Sequence, residues 1–295
     1  MKALGKYLSL VAFSHSIFAL PFALQGAWLA AGGMPGFGDL GWILLAAVSA
    51  RTAAMAFNRL VDRKIDALNP RTQGRELPAG NLSVGSVRVL VVASASVFVA
   101  AAWALNPLAG QLSPAVLLVL LGYSYFKRFS ALVHLVLGLS LALAPLGAWI
   151  AIRGSLGGDL EPILWLAAAV WTWVAGFDVI YSCQDVEIDQ ARGLHSIPAR
   201  WGVARALWIS RALHLCTVTC LLLFYLKAGL GPVYLAFVVL AAGLLAYEQW
   251  IVRADDLSRV DRAFFTLNGW VGVALFLGLV LDMGWGSGLA VGELA

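Results

Sequence analysis

The sequence NRLVDRKIDALNPRTQGRELPAG, residues 58–80, is the stretch that decides how the rest of the chain is interpreted. It is rich in acidic and basic residues, although the sequence on both sides of it is strongly apolar. Asn58, Asp62 and Asp66 recur at a spacing of four, so that on a helix their side chains would lie on one face. The stretch therefore predicts the end of an apolar helix that carries two carboxylates and an amide on one side.

The composition of the whole chain is that of an integral membrane protein. Of its 295 residues, 61% are hydrophobic and only 12% are charged, whereas an average soluble domain carries about 25% charged residues. A water-soluble core of this size could not bury so much apolar surface. The first 33 residues stay apolar for longer than a signal peptide does, and we interpret this stretch as the first membrane span.

Nine stretches are candidates for spans of roughly 20 apolar residues. We therefore predict an all-α membrane protein, a single domain over residues 1–295, with nine helices around an apolar cavity. The stretch 112–127 is the weakest candidate, and Pro107 and Pro114 are expected to break the helix before it. The predicted spans are 8–31, 40–60, 87–106, 112–127, 130–152, 162–184, 205–227, 230–252 and 263–283.

The basic residues predict the orientation. With a cytoplasmic N-terminus and nine spans, most of the 20 lysines and arginines fall on the cytoplasmic side. Arg153 and Lys227 fall outside this set, and Arg51 and Arg59 lie within a span. Topology thus accounts for the positive charge, and no nucleic-acid partner is expected. The predicted location is a bacterial inner membrane, with the charged stretch facing the cytoplasm.

A second acidic stretch repeats the pattern of the first. Residues 177–202, FDVIYSCQDVEIDQARGLHSIPARWG, place Tyr181, Asp185 and Asp189 at a spacing of four, and Asp178 lies one turn before Tyr181. Both stretches end a predicted span on the same side of the membrane. Solvated helix ends with alternating charges are the simpler interpretation of either stretch alone. Their recurrence favours two acidic helix ends that face each other across a cavity, because ionisable residues at membrane depth are costly and usually functional.

Carboxylate and amide oxygens are hard donors, and this predicts a Mg²⁺ site. In proteins Mg²⁺ is typically held by one or two carboxylates together with substrate phosphates. Arg63, Lys64, Arg71 and Arg75 follow the first acidic stretch and would contact phosphate oxygens directly.

The paired patterns N-x-x-x-D-x-x-x-D and Y-x-x-x-D-x-x-x-D resemble the two signatures of the UbiA superfamily of intramembrane prenyltransferases. The segments RELPAG, YSYFKR, GFDVIYSCQD and SIPARWG are similar to the branch that acts on 4-hydroxybenzoate and related aromatic acids. The resemblance covers nearly the whole chain. It implies transfer of a polyprenyl group from a polyprenyl diphosphate to an aromatic acid within the lipid bilayer, in quinone biosynthesis.

The resemblance also implies roles for individual residues. Asp62, Asp66, Asp185 and Asp189 would bind two Mg²⁺ ions, with Asn58 assisting, while Arg71 and Lys127 contact the diphosphate. Tyr123 and Tyr181 would lie near the reacting allylic carbon, and Arg51 would hold the carboxylate of the acceptor. The predicted catalytic residues are Asp62, Tyr123, Tyr181 and Asp185, and we hypothesise that Asp185 removes the proton.

Ionisation of an allylic diphosphate leaves a carbocation, which an apolar chamber shelters from water and tyrosine rings stabilise. Two alternatives to this function stay open: prenylation of a dihydroxynaphthoate on a menaquinone route, and a membrane transporter with intramembrane acids. Prenyl chain length and oligomeric state are not readable from the sequence.

Several single residues have a simpler interpretation as well. Arg51 could extend to the membrane interface, and Lys127 and Arg128 could be topology markers only. His15, His134 and His214 are expected to pack or to form internal hydrogen bonds. In the stretch 253–262, local pairing of acids with arginines is favoured over a metal site.

Overall fold

The computed structural model describes residues 2–11 and 18–290, except for the side chains of residues 2–4 and 285–290. The described residues are almost entirely helical. A 3₁₀ turn, Cys183–Asp185, follows α7, and a π-helix, Arg262–Leu267, precedes α12. The helices are α1 Lys2–Leu10, α2 Leu20–Ala31, α3 Phe37–Asp66, α4 Val84–Leu105, α5 Pro107–Phe126, α6 Val133–Arg153, α7 Glu161–Ser182, α8 Val186–Ala191, α9 Ile197–Trp201, α10 Val203–Lys227, α11 Pro232–Ile251 and α12 Asn268–Ala290.

In the described part of the chain, eight helices are long and apolar enough to cross a membrane. Each of them corresponds to one of the last eight predicted spans, and the all-α membrane fold is confirmed. The predicted count of nine is not confirmed. The first predicted span, 8–31, contains the end of α1 and the 12-residue α2, and residues 12–17 between them lie outside the described part.

The predicted helix break before residue 112 was wrong in its position. Asn106 is the N-cap of α5, where its side chain accepts a hydrogen bond from the Ala109 N–H at 2.8 Å. Pro107 occupies the first turn, where its missing N–H is not needed. Pro114 lies inside α5, so it does not delimit the helix as expected.

The two acidic stretches differ in local structure. The first lies on one uninterrupted helix, because α3 runs for 30 residues and ends at Asp66. At 1.5 Å per residue, α3 is about 45 Å long, which exceeds a hydrocarbon core of about 30 Å. The second was expected on one helix, but α7 ends at Ser182, a 3₁₀ turn reaches Asp185, and Asp189 lies on the short α8.

The helix α7 is the most buried of the eight spans and forms the centre of the bundle. Glycines allow close approach of its neighbours: a Cβ on Gly138 of α6 would lie 2.3 Å from the Trp171 carbonyl oxygen of α7. In the same way, a Cβ on Gly26 of α2 would lie 2.2 Å from the Pro145 carbonyl oxygen of α6. Small residues at such contacts are typical of membrane helix packing.

The π-helix before α12 is held by a buried polar side chain. The Nδ2 group of Asn268 donates to the Ala263 carbonyl oxygen at 3.0 Å and to Glu248 Oε1 on α11 at 2.9 Å. Its Oδ1 atom accepts from Trp173 Nε1 on α7 at 2.7 Å. Asn268 therefore links α7, α11 and the π-helix.

Candidate functional site

Asp62 lies near the end of α3, where it is buried and surrounded by donors. Its Oδ2 atom lies 2.9 Å from Lys127 Nζ and accepts a hydrogen bond from Asn58 Nδ2 at 3.1 Å. Its Oδ1 atom accepts from Arg128 Nη2 at 2.9 Å. Arg128 also donates to the Ser124 and Val61 carbonyl oxygens, at 2.7 and 3.0 Å. Arg128 is therefore more than the topology marker that was expected, because its side chain links the end of α5 to α3.

Asp66, one turn further, is also buried and is paired on one side only. Its Oδ1 atom accepts from Arg75 Nη1 at 2.8 Å. Its Oδ2 atom is buried and has no hydrogen-bond partner among the described residues. The Asp66 carbonyl oxygen accepts from Thr72 Oγ1 at 3.0 Å, which fixes the loop that follows α3. One carboxylate oxygen of the first stretch is thus left available for another ligand.

The loop after α3 connects the first acidic stretch to the second. Asn69 Nδ2 donates to Asp185 Oδ1 at 3.0 Å. Arg71 Nε donates to the same oxygen at 3.0 Å, and Arg71 Nη2 pairs with Asp185 Oδ2. A third bond runs from Arg71 Nη1 to the Tyr181 hydroxyl oxygen at 2.6 Å, and the guanidinium lies 4.9 Å from the Tyr181 ring centre. The two acidic stretches therefore converge, and Arg71 is the principal bridge.

Asn69 was not singled out from the sequence. Its Oδ1 atom accepts from the Arg71 N–H at 2.9 Å, so that it shapes the turn as well as binding Asp185. The dipeptide Asn69-Pro70 is typical of such a turn and could have indicated it. Arg63 donates back to the Leu60 carbonyl oxygen, and Lys64 is exposed, so these two predicted phosphate ligands do not join the cluster.

Asp189 lies beside the cluster on α8. Its Oδ2 atom accepts from Ser196 Oγ at 2.8 Å, and Ser196 is also the N-cap of α9. The neighbouring His195 N–H donates to the Lys127 carbonyl oxygen at 2.7 Å. Lys127 is therefore in contact with both acidic stretches, through its ammonium group at Asp62 and through its backbone at His195.

The donor set fits Mg²⁺, although the described residues hold no cluster of three metal-ligating side chains ready to bind an ion. Asp62, Asp66 and Asp185 each pair with a basic side chain. The unpartnered, buried Asp66 Oδ2 atom and the hard oxygen chemistry of the set are what a divalent cation requires. The same basic side chains could move onto phosphate oxygens, because arginine and lysine bind both groups.

An apolar cavity of about 580 Å³ is lined by residues of the five helices α2, α3, α4, α5 and α6. Ala47, Ala50, Arg51 and Ala54 line it on α3, and the face that they form continues to Asn58 and then Asp62. Because the alanine side chains are small, they leave room for the cavity. Arg51 adds a cation to the cavity lining.

The two predicted tyrosines lie on different sides of the site. Tyr123 lines the cavity on α5, one turn before Lys127. Tyr181 contacts Arg71 and stacks on Phe264 of the π-helix, with ring centres 4.1 Å apart. The structure thus brings Tyr123 close to the chamber and Tyr181 close to the acidic cluster.

Two other expectations concern residues outside this cluster. His134 Nδ1 lies 2.7 Å from Asp178 Oδ2, so it forms the kind of internal hydrogen bond that was expected. His15 lies outside the described residues. Arg253 makes two bonds to Asp255, at 3.1 and 3.0 Å, and both side chains are exposed, in line with local pairing in the stretch 253–262.

Comparisons with known proteins identify the family and the fold of the chain. The model of the UbiA prenyltransferase family matches residues 19–272. A 4-hydroxybenzoate octaprenyltransferase from Tolumonas auensis is 34% identical over 260 residues, which cover 88% of each chain. One from Herminiimonas arsenicoxydans is 29% identical and covers 96% of this chain and 99% of its own.

Solved structures with the same fold are also known. A UbiA homolog from Aeropyrum pernix K1 superposes with a TM-score of 0.83 at 37% identity, covering 91% of this chain and 98% of the homolog. A UbiA homolog from Archaeoglobus fulgidus, solved bound to DMAPP and Mg²⁺, has a TM-score of 0.73 at 20% identity, covering 95% and 99%. The latter similarity concerns the fold alone.

Proposed function

Because the chain belongs to the UbiA prenyltransferase family, we propose that it transfers a polyprenyl group from a polyprenyl diphosphate to an aromatic acid such as 4-hydroxybenzoate. Mg²⁺ is the proposed cofactor, and quinone biosynthesis the proposed context. The observation that carries the proposal is the bridge from Arg71 and Asn69 to Asp185, which joins two acidic stretches at one end of an apolar cavity. Names of relatives that act on 4-hydroxybenzoate support the choice of acceptor.

The diphosphate is proposed to bind at the acidic cluster. Asp62, Asp66, Asp185 and Asp189 would hold Mg²⁺, with Asn58 assisting. When bound there, the metal would neutralise charge on the departing diphosphate. Arg71, Arg75 and Lys127, which pair with three of these carboxylates, would turn to the phosphate oxygens.

The prenyl chain and the ring of the acceptor are proposed to occupy the cavity. Its apolar lining suits an isoprenoid and excludes water from an allylic cation. Tyr123 would face the cation with its ring, and Tyr181 would hold Arg71. Arg51 is the proposed partner of the acceptor carboxylate, because it is a cation among the lining residues of the cavity.

The protein is a multi-pass membrane protein. We place it in a bacterial inner membrane with the acidic cluster toward the cytoplasm. Support comes from the lysines and arginines that follow α3 and α5 at the cluster end of the bundle.

The test is product formation by the purified protein with octaprenyl diphosphate, with and without Mg²⁺, followed by mass spectrometry. The acceptors are 4-hydroxybenzoate, its ethyl ester and a dihydroxynaphthoate. We expect Mg²⁺-dependent prenylation of 4-hydroxybenzoate and little product from the ester, which lacks the anionic carboxylate. Preference for the naphthoate would reassign the acceptor. If none of the acceptors gives product or diphosphate release, the proposed enzymatic function is refuted, and the alternative function as a transporter is favoured.

A further inference from the structure

A hydrogen-bonded histidine and aspartate lie beside the acidic cluster, on α6 and α7. His134, at the start of α6, has its Nδ1 atom 2.7 Å from Asp178 Oδ2 on α7. The backbone N–H of Ile197 donates to His134 Nε2 at 3.2 Å. Because a backbone N–H can only donate, Nε2 is the accepting nitrogen and the proton resides on Nδ1. In this arrangement the imidazole donates to one oxygen of Asp178.

The two oxygens of Asp178 differ in their hydrogen bonding. In the part of the chain that the structure describes, Oδ2 takes the bond from His134, and Oδ1 accepts no hydrogen bond. The side chain is 19% exposed, although its neighbours Phe177 and Val179 on α7 are buried. Asp178 is thus an oriented, partly exposed carboxylate with one oxygen that accepts no hydrogen bond from the described residues.

The carboxylates of the acidic cluster are held differently. Both oxygens of Asp185 are bound by Arg71, and one of them also by Asn69. Both oxygens of Asp62 are bound by basic side chains. A carboxylate whose two oxygens are both occupied by cations has no free oxygen to accept a proton from a substrate. Among the described residues, only His134 bonds to Asp178, at Oδ2, and Oδ1 carries no such bond.

The position of Asp178 along α7 can be compared with the proposed positions of the substrates. It precedes Tyr181 by three residues, so these two lie on the same side of α7, and it precedes Asp185 by seven residues, or about 10 Å. On α3, Arg51 precedes Asp62 by eleven residues, or about 16 Å. Asp178 also lies within electrostatic range of Tyr123, which lines the cavity. It thus lies between the proposed diphosphate level and the proposed carboxylate anchor.

We propose that Asp178 is the catalytic proton acceptor of the transfer reaction and that His134 is its positioning residue. The inference rests on the proposed function. The allylic C–O bond breaks, and the diphosphate leaves with the electron pair. The ring carbon ortho to the hydroxyl forms the new C–C bond to the allylic cation. The hydrogen on that carbon leaves as a proton to Asp178 Oδ1, and its bonding pair restores the aromatic ring.

The first test is Asp178→Asn, which keeps the shape of the side chain and the bond from His134. We expect kcat to fall about 100-fold, at the lower end of the range for general acid–base catalysis, with little change in KM for either substrate. The decisive measurement is the isotope effect on kcat with 4-hydroxybenzoate deuterated ortho to the hydroxyl. It is expected to rise in Asp178→Asn, because proton removal becomes the slow step.

Asp282→Asn is the matched control. Asp282 is an aspartate near the end of another span, and it accepts from the Gly231 and Tyr234 N–H groups at 2.6 and 3.1 Å at the opposite end of the bundle. Its loss is expected to lower the melting temperature and to leave the isotope effect at the wild-type value. His134→Leu is expected to lower kcat and raise the isotope effect, whereas His134→Gln, which retains an N–H donor, restores most of kcat.

The outcomes separate this inference from the function on which it rests. Absence of product from the wild-type protein overturns both. With an active wild type, full activity of Asp178→Asn overturns the inference alone. Loss of activity in Asp178→Asn without a change in the isotope effect also overturns the inference. The same holds if the isotope effect rises in Asp185→Asn and does not rise in Asp178→Asn. Asp178→Glu, which keeps a carboxylate, provides a second variant if the asparagine protein does not fold.

Discussion

Replacement of Arg71 by alanine is expected to change the binding of metal and of diphosphate in opposite directions. Arg71 makes two bonds to Asp185 and one to Tyr181. In the proposed site, Asp185 is a ligand of Mg²⁺, and Arg71 competes with the metal for it. In the presence of diphosphate, however, Arg71 becomes a ligand of the phosphate oxygens. Arg71→Ala should therefore strengthen binding of Mg²⁺ alone and weaken binding of the diphosphate.

The magnitudes follow from the contacts. Opposite charges about 4 Å apart interact by about 4 kcal/mol at an effective dielectric constant near 20. The side chains of Arg71 and Asp185 are 29% and 19% exposed, so solvent screening reduces this energy. We expect about 1–2 kcal/mol, or a roughly 5- to 30-fold tighter Mg²⁺ Kd. Loss of charge-assisted bonds to phosphate should cost about 3 kcal/mol, or roughly 100-fold in diphosphate affinity.

Isothermal titration of the purified protein measures both quantities, first with Mg²⁺ alone and then with inorganic diphosphate at saturating Mg²⁺. Arg253→Ala is the control, since it removes the same type of pair, Arg253 with Asp255, from an exposed loop. It should change neither affinity. Weaker binding of Mg²⁺ alone to Arg71→Ala would refute the reasoning, because it would mean that Arg71 orients Asp185 for the metal and does not compete with it.

Three further predictions concern the cavity and the packing. Arg51→Met should raise KM for 4-hydroxybenzoate at least tenfold, with KM for the prenyl donor unchanged, and steady-state kinetics with each substrate varied in turn checks this. Ala47→Phe places an aromatic ring in the cavity and should shorten the longest prenyl chain accepted, as mass spectrometry of products from a donor length series would reveal. Gly138→Ala should destabilise the protein by about 1–3 kcal/mol, because the added Cβ meets the Trp171 carbonyl oxygen, and a lowered melting temperature measures it.

The membrane fold could be predicted from the sequence because each span must be about 20 apolar residues long. The length of the apolar stretches indicated the eight long helices. The spacing of Asn58, Asp62 and Asp66 indicated that these three residues lie on one face of α3. Positions of breaks were less predictable. Pro107 and Pro114 have the same local chemistry, but one lies in the first turn of α5 and the other inside it, where packing tolerates it.

The sequence predicted which acidic and basic residues form the candidate site. It did not predict which of their side chains contact each other. Sequence spacing groups side chains on one helix, so it could not bring Asn69 to Asp185, which is 116 positions away. It also gave no reason to distinguish Asp178 from the cluster. That distinction depends on His134, which comes from another helix and is an isolated histidine in an apolar run.

The length of α3 has a consequence for how the two substrates meet. A helix of about 45 Å in a hydrocarbon layer of about 30 Å must extend well into the headgroup region, and its last turns carry Asp62 and Asp66. In the proposed reaction, a soluble aromatic acid would then arrive from water while the isoprenoid stays in the hydrocarbon layer. The prenylated product would form at this boundary, already in contact with lipid.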